Sequence, residues 1–177
     1  MLEVCFSRSK STNPFLLAQR SGMISDQELL HGAALLKLIE NFKTVQIQHG
    51  DQVHSSLYVI NSGESEVAVL LKLSTRRKSP WQFTFSQQEE NAVARFRRSR
   101  PDTALFFSLV CFKDGVCCVN YETLAQLTGH SIALRSVGVS RPSGGSYHLS
   151  GPERQQLRRA IPQSDWPRAL FQRHTPL

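Results

Sequence analysis

Residues 104–112, Ala-Leu-Phe-Phe-Ser-Leu-Val-Cys-Phe, carry no charge and form the longest strand-like apolar run in the chain. A strand of this kind is buried on both faces. It belongs in the middle of a sheet that other elements cover on both sides. Residues 66–73, Glu-Val-Ala-Val-Leu-Leu-Lys-Leu, read the same way until Lys72. Between the two runs lies Ser86-Gln87-Gln88-Glu89, a capping box in which the Ser and Glu side chains satisfy free amides at a helix start. Ala92, Val93 and Phe96 then fall on one helical face, and Pro101 ends the helix. Helix between buried strands predicts a mixed α/β (α+β) domain with a central sheet flanked by helices.

The remaining elements follow from shorter signals. Ser25-Asp26-Gln27-Glu28 is another capping box, and Leu29, Leu30, Ala33, Leu36, Ile39 and Phe42 continue it at helical spacing over about 26–42. Residues 44–48 and 56–60 read as strands, separated by His49-Gly50-Asp51. Trp81-Gln82-Phe83-Thr84-Phe85 alternates aromatic and polar, so its rings share one face and extend or edge the sheet. Asp114-Gly115 predicts a two-residue hairpin turn, which would set Cys111 opposite Cys118. Asn120 caps a short helix that ends at Gly129, and a strand falls within 132–139. Tyr147-His148-Leu149 is a short strand. Ser150-Gly151-Pro152-Glu153 reads as a third capping box, with a helix to about Ala160. In the tail from about 161, Trp166, Leu170 and Phe171 are placed to dock on the core.

At 177 residues the chain makes one domain over 25–177, preceded by an irregular lead-in over 1–24. No apolar run approaches the ~20 residues of a membrane span, and Met1 to Phe6 lack a secretory signal pattern. Cys5, Cys111, Cys117 and Cys118 match neither a disulfide framework nor a CxxC zinc pattern, so they read as buried thiols. A cytoplasmic location follows. The six histidines show no HxH or HxxxH spacing, and no Walker, GxGxxG or GxSxG motif occurs. Gly144-Gly145 reads as a flexible hairpin loop.

Charge is the functional signal. Residues 71–100 hold Lys72, Arg76, Arg77, Lys78, Arg95, Arg97, Arg98 and Arg100 against Glu89 and Glu90, most of the chain's net +7. Such asymmetry predicts a polyanionic partner, in the first place nucleic acid. Arg76, Arg77, Lys78, Arg95, Arg97, Arg98 and Arg100 are the candidate phosphate contacts, Trp81 a candidate for stacking on a base, and Lys72 a further phosphate contact if it projects into a cleft. Part of the α-helical Arg cluster is explained by the favourable placement of cations at a helix C-terminus.

The order helix, three strands, helix, strand over residues 25–120 resembles the core of the PD-(D/E)XK nuclease superfamily. The resemblance implies a second-strand acid and an acid-x-Lys pair on the third strand, binding Mg²⁺ that activates water. Lys72 stands at the motif Lys. Leu70 occupies the acid position two before it, and Asn61 falls near the second-strand position. Glu64 and Glu66 are the acids left to serve with Lys72 in a catalytic role, while Glu28 is accounted for by its cap. The resemblance therefore implies a non-catalytic nucleic-acid-binding module, without a cofactor, acting as one subunit of a larger nucleic-acid-processing or bacterial defence assembly. The alternatives are an active Mg²⁺-dependent nuclease using Glu64 or Glu66 with Lys72, and an interaction module that meets an acidic protein. No membrane partner is expected.

Overall fold

The computed structural model describes residues 24–172, apart from 43, 51–55, 64, 130, 134, 153 and 154. The lead-in over 1–23, with Cys5, lies outside the described residues, as do Asp51 and Glu64.

The fold is α+β. Helix α1 (Asp26–Asn41) leads into the strands β1 (Gln46–His49), β2 (Leu57–Asn61) and β3 (Glu66–Ser74). After β4 (Trp81–Thr84) come α2 (Gln87–Ser99), β5 (Ala104–Cys111), β6 (Val116–Asn120), α3 (Tyr121–Thr128), β7 (Ser136–Ser140) and β8 (His148–Ser150). The main sheet has the order β1-β2-β3-β5-β6, with β3 and β5 parallel and the other pairs antiparallel. Because β3 and β5 are parallel, α2 must carry the chain from the C-terminal end of β3 back to the N-terminal end of β5. The two strands read as doubly buried are neighbouring inner strands of this sheet.

Alternation along β3 divides the core. Ala68 and Leu70 join Phe107, Leu109 and the inner face of α2 on one side. Val67, Val69 and Leu71 join Ala34 and Leu38 of α1, with Trp166 and Leu170 of the tail, on the other. The tail docks as expected: the Trp166 indole donates to the Ala34 carbonyl at 3.2 Å, and Phe171 meets Phe42 edge-on at 4.8 Å. Both of the first two capping boxes form, at Ser25/Glu28 and Ser86/Glu89. Asn120 caps α3, and Gly129 closes it with φ of 73°.

Three sequence expectations are corrected. Trp81–Thr84 does not extend the main sheet; it builds a second sheet of order β4-β7-β8, packed on the first. Its rings do share one face, and Trp81, Phe83 and Phe85 are all buried there. The Asp114 hairpin is longer than a two-residue turn. The register runs Ser108–Cys118, Leu109–Cys117 and Val110–Val116, so Cys111 does not face Cys118. Phe112 takes a left-handed conformation (φ 50°), and the Asp114 carboxylate is held by groups outside the hairpin. Finally, residues 155–160 are not helical. The chain turns after β8, where the Leu157 amide donates to the Leu149 carbonyl and Ser150 bridges Gln156. A Cβ on Gly151 would lie 2.5 Å from the Leu127 carbonyl oxygen, so that close approach fixes the turn. Leu157 is the only large apolar side chain between Glu153 and Ala160, too little to give a helix a core-facing stripe.

Candidate nucleic-acid interface

The C-terminal ends of β3 and β5 bring charged side chains of both signs together, Lys72 with Glu89 and, farther out, Asp114 with Arg141. Lys72 lies on the β3 face that carries Ala68 and Leu70, beneath the N-terminus of α2. Its ammonium donates to both carboxylate oxygens of Glu89, at 2.6 and 2.8 Å, and lies 5.7 Å from the centre of the Phe85 ring. The Glu89 side chain is only 6% exposed. It also accepts from the Ser86 amide at 2.6 Å as part of the capping box. Burial pushes the Glu89 carboxyl up, but the Lys72 and Ser86 contacts outweigh it and hold the group below the usual carboxylate range. Glu89 therefore does two jobs, of which only the cap was visible in sequence.

Glu66 is not brought to Lys72. It sits at the opposite end of β3, six residues and about 20 Å away at ~3.3 Å per residue. There it accepts from Arg100 at 2.6 Å. Asn61 pairs with Glu66 and is equally remote. Glu64 lies outside the described residues. Among the described residues no group of three His, Cys, Asp or Glu side chains converges to hold a metal. The one carboxylate beside Lys72 is already bonded to it. Among the described residues this donor set does not fit the Mg²⁺ that an active nuclease would need.

Beyond Ser74 the chain leaves the sheet as an exposed loop carrying Arg76, Arg77 and Lys78. Arg77, Lys78 and Ser79 line one wall of an open groove. Phe112, Lys113 and Asp114 of the β5–β6 hairpin, with Arg141, Pro142 and Ser143 after β7, complete it. Arg141 is fixed by a two-pronged bond to Asp114, at 2.8 and 2.7 Å, and the Tyr147 hydroxyl donates to the same carboxylate at 2.9 Å. Burial raises the Asp114 carboxyl, but these contacts prevail and hold it low. Burial and the Asp114 contact push the Tyr147 hydroxyl up. Arg141 is thus neutralised locally. Among the described residues no acid pairs with Arg76, Arg77, Lys78 or Lys113.

The candidate phosphate contacts do not gather on one surface. Arg97, Arg98 and Arg100 lie at the C-terminal end of α2, thirteen residues long and therefore about 20 Å from its start at 1.5 Å per residue. That end abuts the start of β5, away from the loop. There Arg97 stacks on Tyr121, its guanidinium carbon 3.7 Å from the ring centre, and Arg100 is paired with Glu66. Arg95, one turn earlier on the exposed side of α2, has its own interaction. Trp81 lines the groove but is 2% exposed, so it is not available to stack on a base. In its place the structure brings Lys113 and Arg141, which sequence spacing gave no reason to group with the loop.

No protein-family model, curated protein or solved structure matches the chain.

Proposed function

We propose that the protein binds nucleic acid, without cleaving it, through the groove between the 75–80 loop and the β5–β6 hairpin. The observation that carries this reading is the convergence of Arg77, Lys78 and Lys113 from two separate elements around a groove whose one acid, Asp114, is already satisfied by Arg141, with Arg76 next to them on the same exposed loop. Cations without local partners at an open groove give affinity for a phosphate backbone with little sequence readout. Of the two aromatics that line the groove, Trp81 is buried and Phe112 is only partly exposed, with the Lys113 ammonium 5.7 Å from its ring centre, which favours contact with phosphates over stacking on unpaired bases. The pairing of Lys72 with Glu89 supports the non-catalytic form of the reading, because it occupies the Lys that the nuclease resemblance would use. The order of α1, β1–β3, α2 and β5 supports a nuclease-like origin; β4, inserted before α2, departs from it. A module of this size is then one subunit of a larger nucleic-acid-processing assembly.

Fluorescence anisotropy with labelled duplex DNA, single-stranded DNA and RNA at low ionic strength tests the proposal. Binding of at least one, without cleavage in Mg²⁺ or Mn²⁺, is expected. No detectable binding to any of the three removes the reading and leaves an acidic protein as the partner of the cations.

A further inference from the structure

A second recess opens beside the C-terminal half of α2. Glu90, Val93, Ala94, Arg97 and Arg98 share one face of the helix, at the spacing of successive turns, and form one side of it. Pro101, Tyr121 at the start of α3 and Ile132 complete a cavity of about 490 Å³. That is the size of a small-molecule site. Much of the lining is apolar: Val93 and Ile132 are buried, Tyr121 is half-buried, and Ala94 and Pro101 add exposed apolar surface. The charges are divided between two ends. Arg97 and Arg98 stand exposed at one, and among the described residues no acid pairs with either. Glu90 stands at the other, about 10 Å back along the helix at ~1.5 Å per residue. Its carboxylate is already held by the Ser131 hydroxyl at 3.1 and 3.3 Å and by the Ala133 amide at 2.8 Å. Arg97 lies on an aromatic platform, its guanidinium carbon 3.7 Å from the centre of the Tyr121 ring. That ring is within 28° of parallel to the fully buried Phe107 ring, with centres 6.3 Å apart, so the platform is anchored in the core. Stacking occupies the face of a guanidinium and leaves its N–H donors at the edge. A helix C-terminus accounts for cations here. It accounts for neither the platform nor the apolar recess beside it.

We propose that this recess binds a small, flat, apolar monocarboxylate. The carboxylate takes a two-pronged, coplanar bond from Arg97, with Arg98 as the second cation. The apolar body of the ligand covers Val93, Ala94, Tyr121 and Ile132. Glu90 sets the remaining selectivity. A second anionic group at the far end of the ligand would meet a carboxylate of like charge, so diacids are disfavoured. The site lies at the end of α2 away from the nucleic-acid groove and works independently of it.

Amide NMR titrations of the full chain with cinnamate test it. Saturable shifts at Ala94, Tyr121 and Ile132 are expected, with a Kd of about 1 mM or tighter. Cinnamamide, the neutral counterpart, should bind at least about tenfold more weakly, as should cinnamate to Arg97→Gln. Arg97→Lys keeps the charge but loses the planar fork, so it should not restore binding. Para-carboxycinnamate should bind the parent about threefold more weakly than cinnamate does, a difference that Glu90→Gln abolishes. Both Arg97 variants alter an exposed side chain, and their circular dichroism should match that of the parent. No shift with either cinnamate or benzoate up to about 10 mM overturns the proposal. Equal binding of cinnamate and cinnamamide also overturns it, by making the recess an apolar surface only. So does displacement of cinnamate by an equal concentration of inorganic phosphate or duplex DNA, which would make it an unselective anion surface. A diacid that binds as tightly as cinnamate removes Glu90 from the site.

Discussion

The split of the basic residues between two ends of the sheet makes a quantitative claim about salt. Each phosphate neutralised releases condensed counterions, and log K falls with log salt at about 0.9 per contact on duplex DNA. Three cations line the groove without an acidic partner among the described residues, Arg77, Lys78 and Lys113, and Arg76 stands next to them on the same exposed loop, which makes four within reach of a bound backbone. Arg141 is discounted because Asp114 holds it at 2.7 and 2.8 Å. The expected slope is then about −3.6, so raising salt from roughly 50 to 200 mM should weaken duplex binding about 150-fold. Arg77→Gln with Lys78→Gln should bring the slope to about −1.8 and weaken binding alike for all sequences. Arg97→Gln with Arg98→Gln should leave the slope unchanged within about 0.3, because those groups lie at the other end of α2. Anisotropy titrations across the salt series measure all three. A slope that answers to Arg97 and Arg98 and ignores Arg77 and Lys78 would refute the groove and restore the grouping that the sequence suggested.

Three further outcomes concern the framework. Lys72→Met should destabilise the protein by about 2 kcal/mol, below the 3–5 kcal/mol of a fully buried broken pair, because Glu89 keeps its Ser86 amide bond and Lys72 is partly wet. The folded Glu89 carboxyl is lower than in the unfolded chain, so its contribution is present above about pH 4.3 and fades as pH falls through the folded value. The gap between parent and Lys72→Met in urea unfolding should therefore narrow at acid pH; a gap constant to about pH 3 contradicts this. Asp114→Asn should cost about 1–2 kcal/mol at neutral pH by weakening the Arg141 bonds, with the same acid-side convergence, since Asp114 is also held low. Gly115→Ala should cost about 1–3 kcal/mol in thermal unfolding, because φ is 148° and the new Cβ would lie 2.7 Å from the Tyr147 hydroxyl oxygen; an unchanged midpoint would show that the hairpin gives way.

What was legible in sequence was local. A capping box is closed by residues three apart, and both Ser25–Glu28 and Ser86–Glu89 form as read. The aromatic alternation gave the shared face of Trp81, Phe83 and Phe85 correctly, because period two is a property of one strand. It did not give the sheet they join, because their partners on β7 are more than fifty residues away. The third capping pattern failed for a similar reason. Pairing of Gln156 and Leu157 with the end of β8, and contact of Gly151 with α3, outweighed a local signal that had little apolar stripe behind it. The candidate site suffered most. Counting charge along the chain grouped the loop with the α2 terminus, whereas a parallel β3–β5 crossover necessarily puts the two ends of α2 at opposite ends of the sheet. Lys113 and Arg141 reach the groove through the hairpin and the second sheet, contacts invisible to spacing.

The same geometry explains why Leu70 stands where the nuclease resemblance would have an acid. It lies on the β3 face shared with Lys72, yet it is fully buried against the layer that α2 and the second sheet complete. β4 inserts its aromatic strand between β3 and α2 in sequence, and Phe85 ends up near the Lys72 ammonium. A carboxylate at position 70 would be desolvated in that packing without a partner of its own. The acid that does meet Lys72 comes instead from the first turn of α2, where the cap holds it on the dry side of the helix and the ion pair is consumed in fixing α2 to the sheet. Charge that a catalytic arrangement would leave free to meet a metal is here balanced internally. Cations without an acidic partner among the described residues stand farther out, on the loop and hairpin, exposed to solvent.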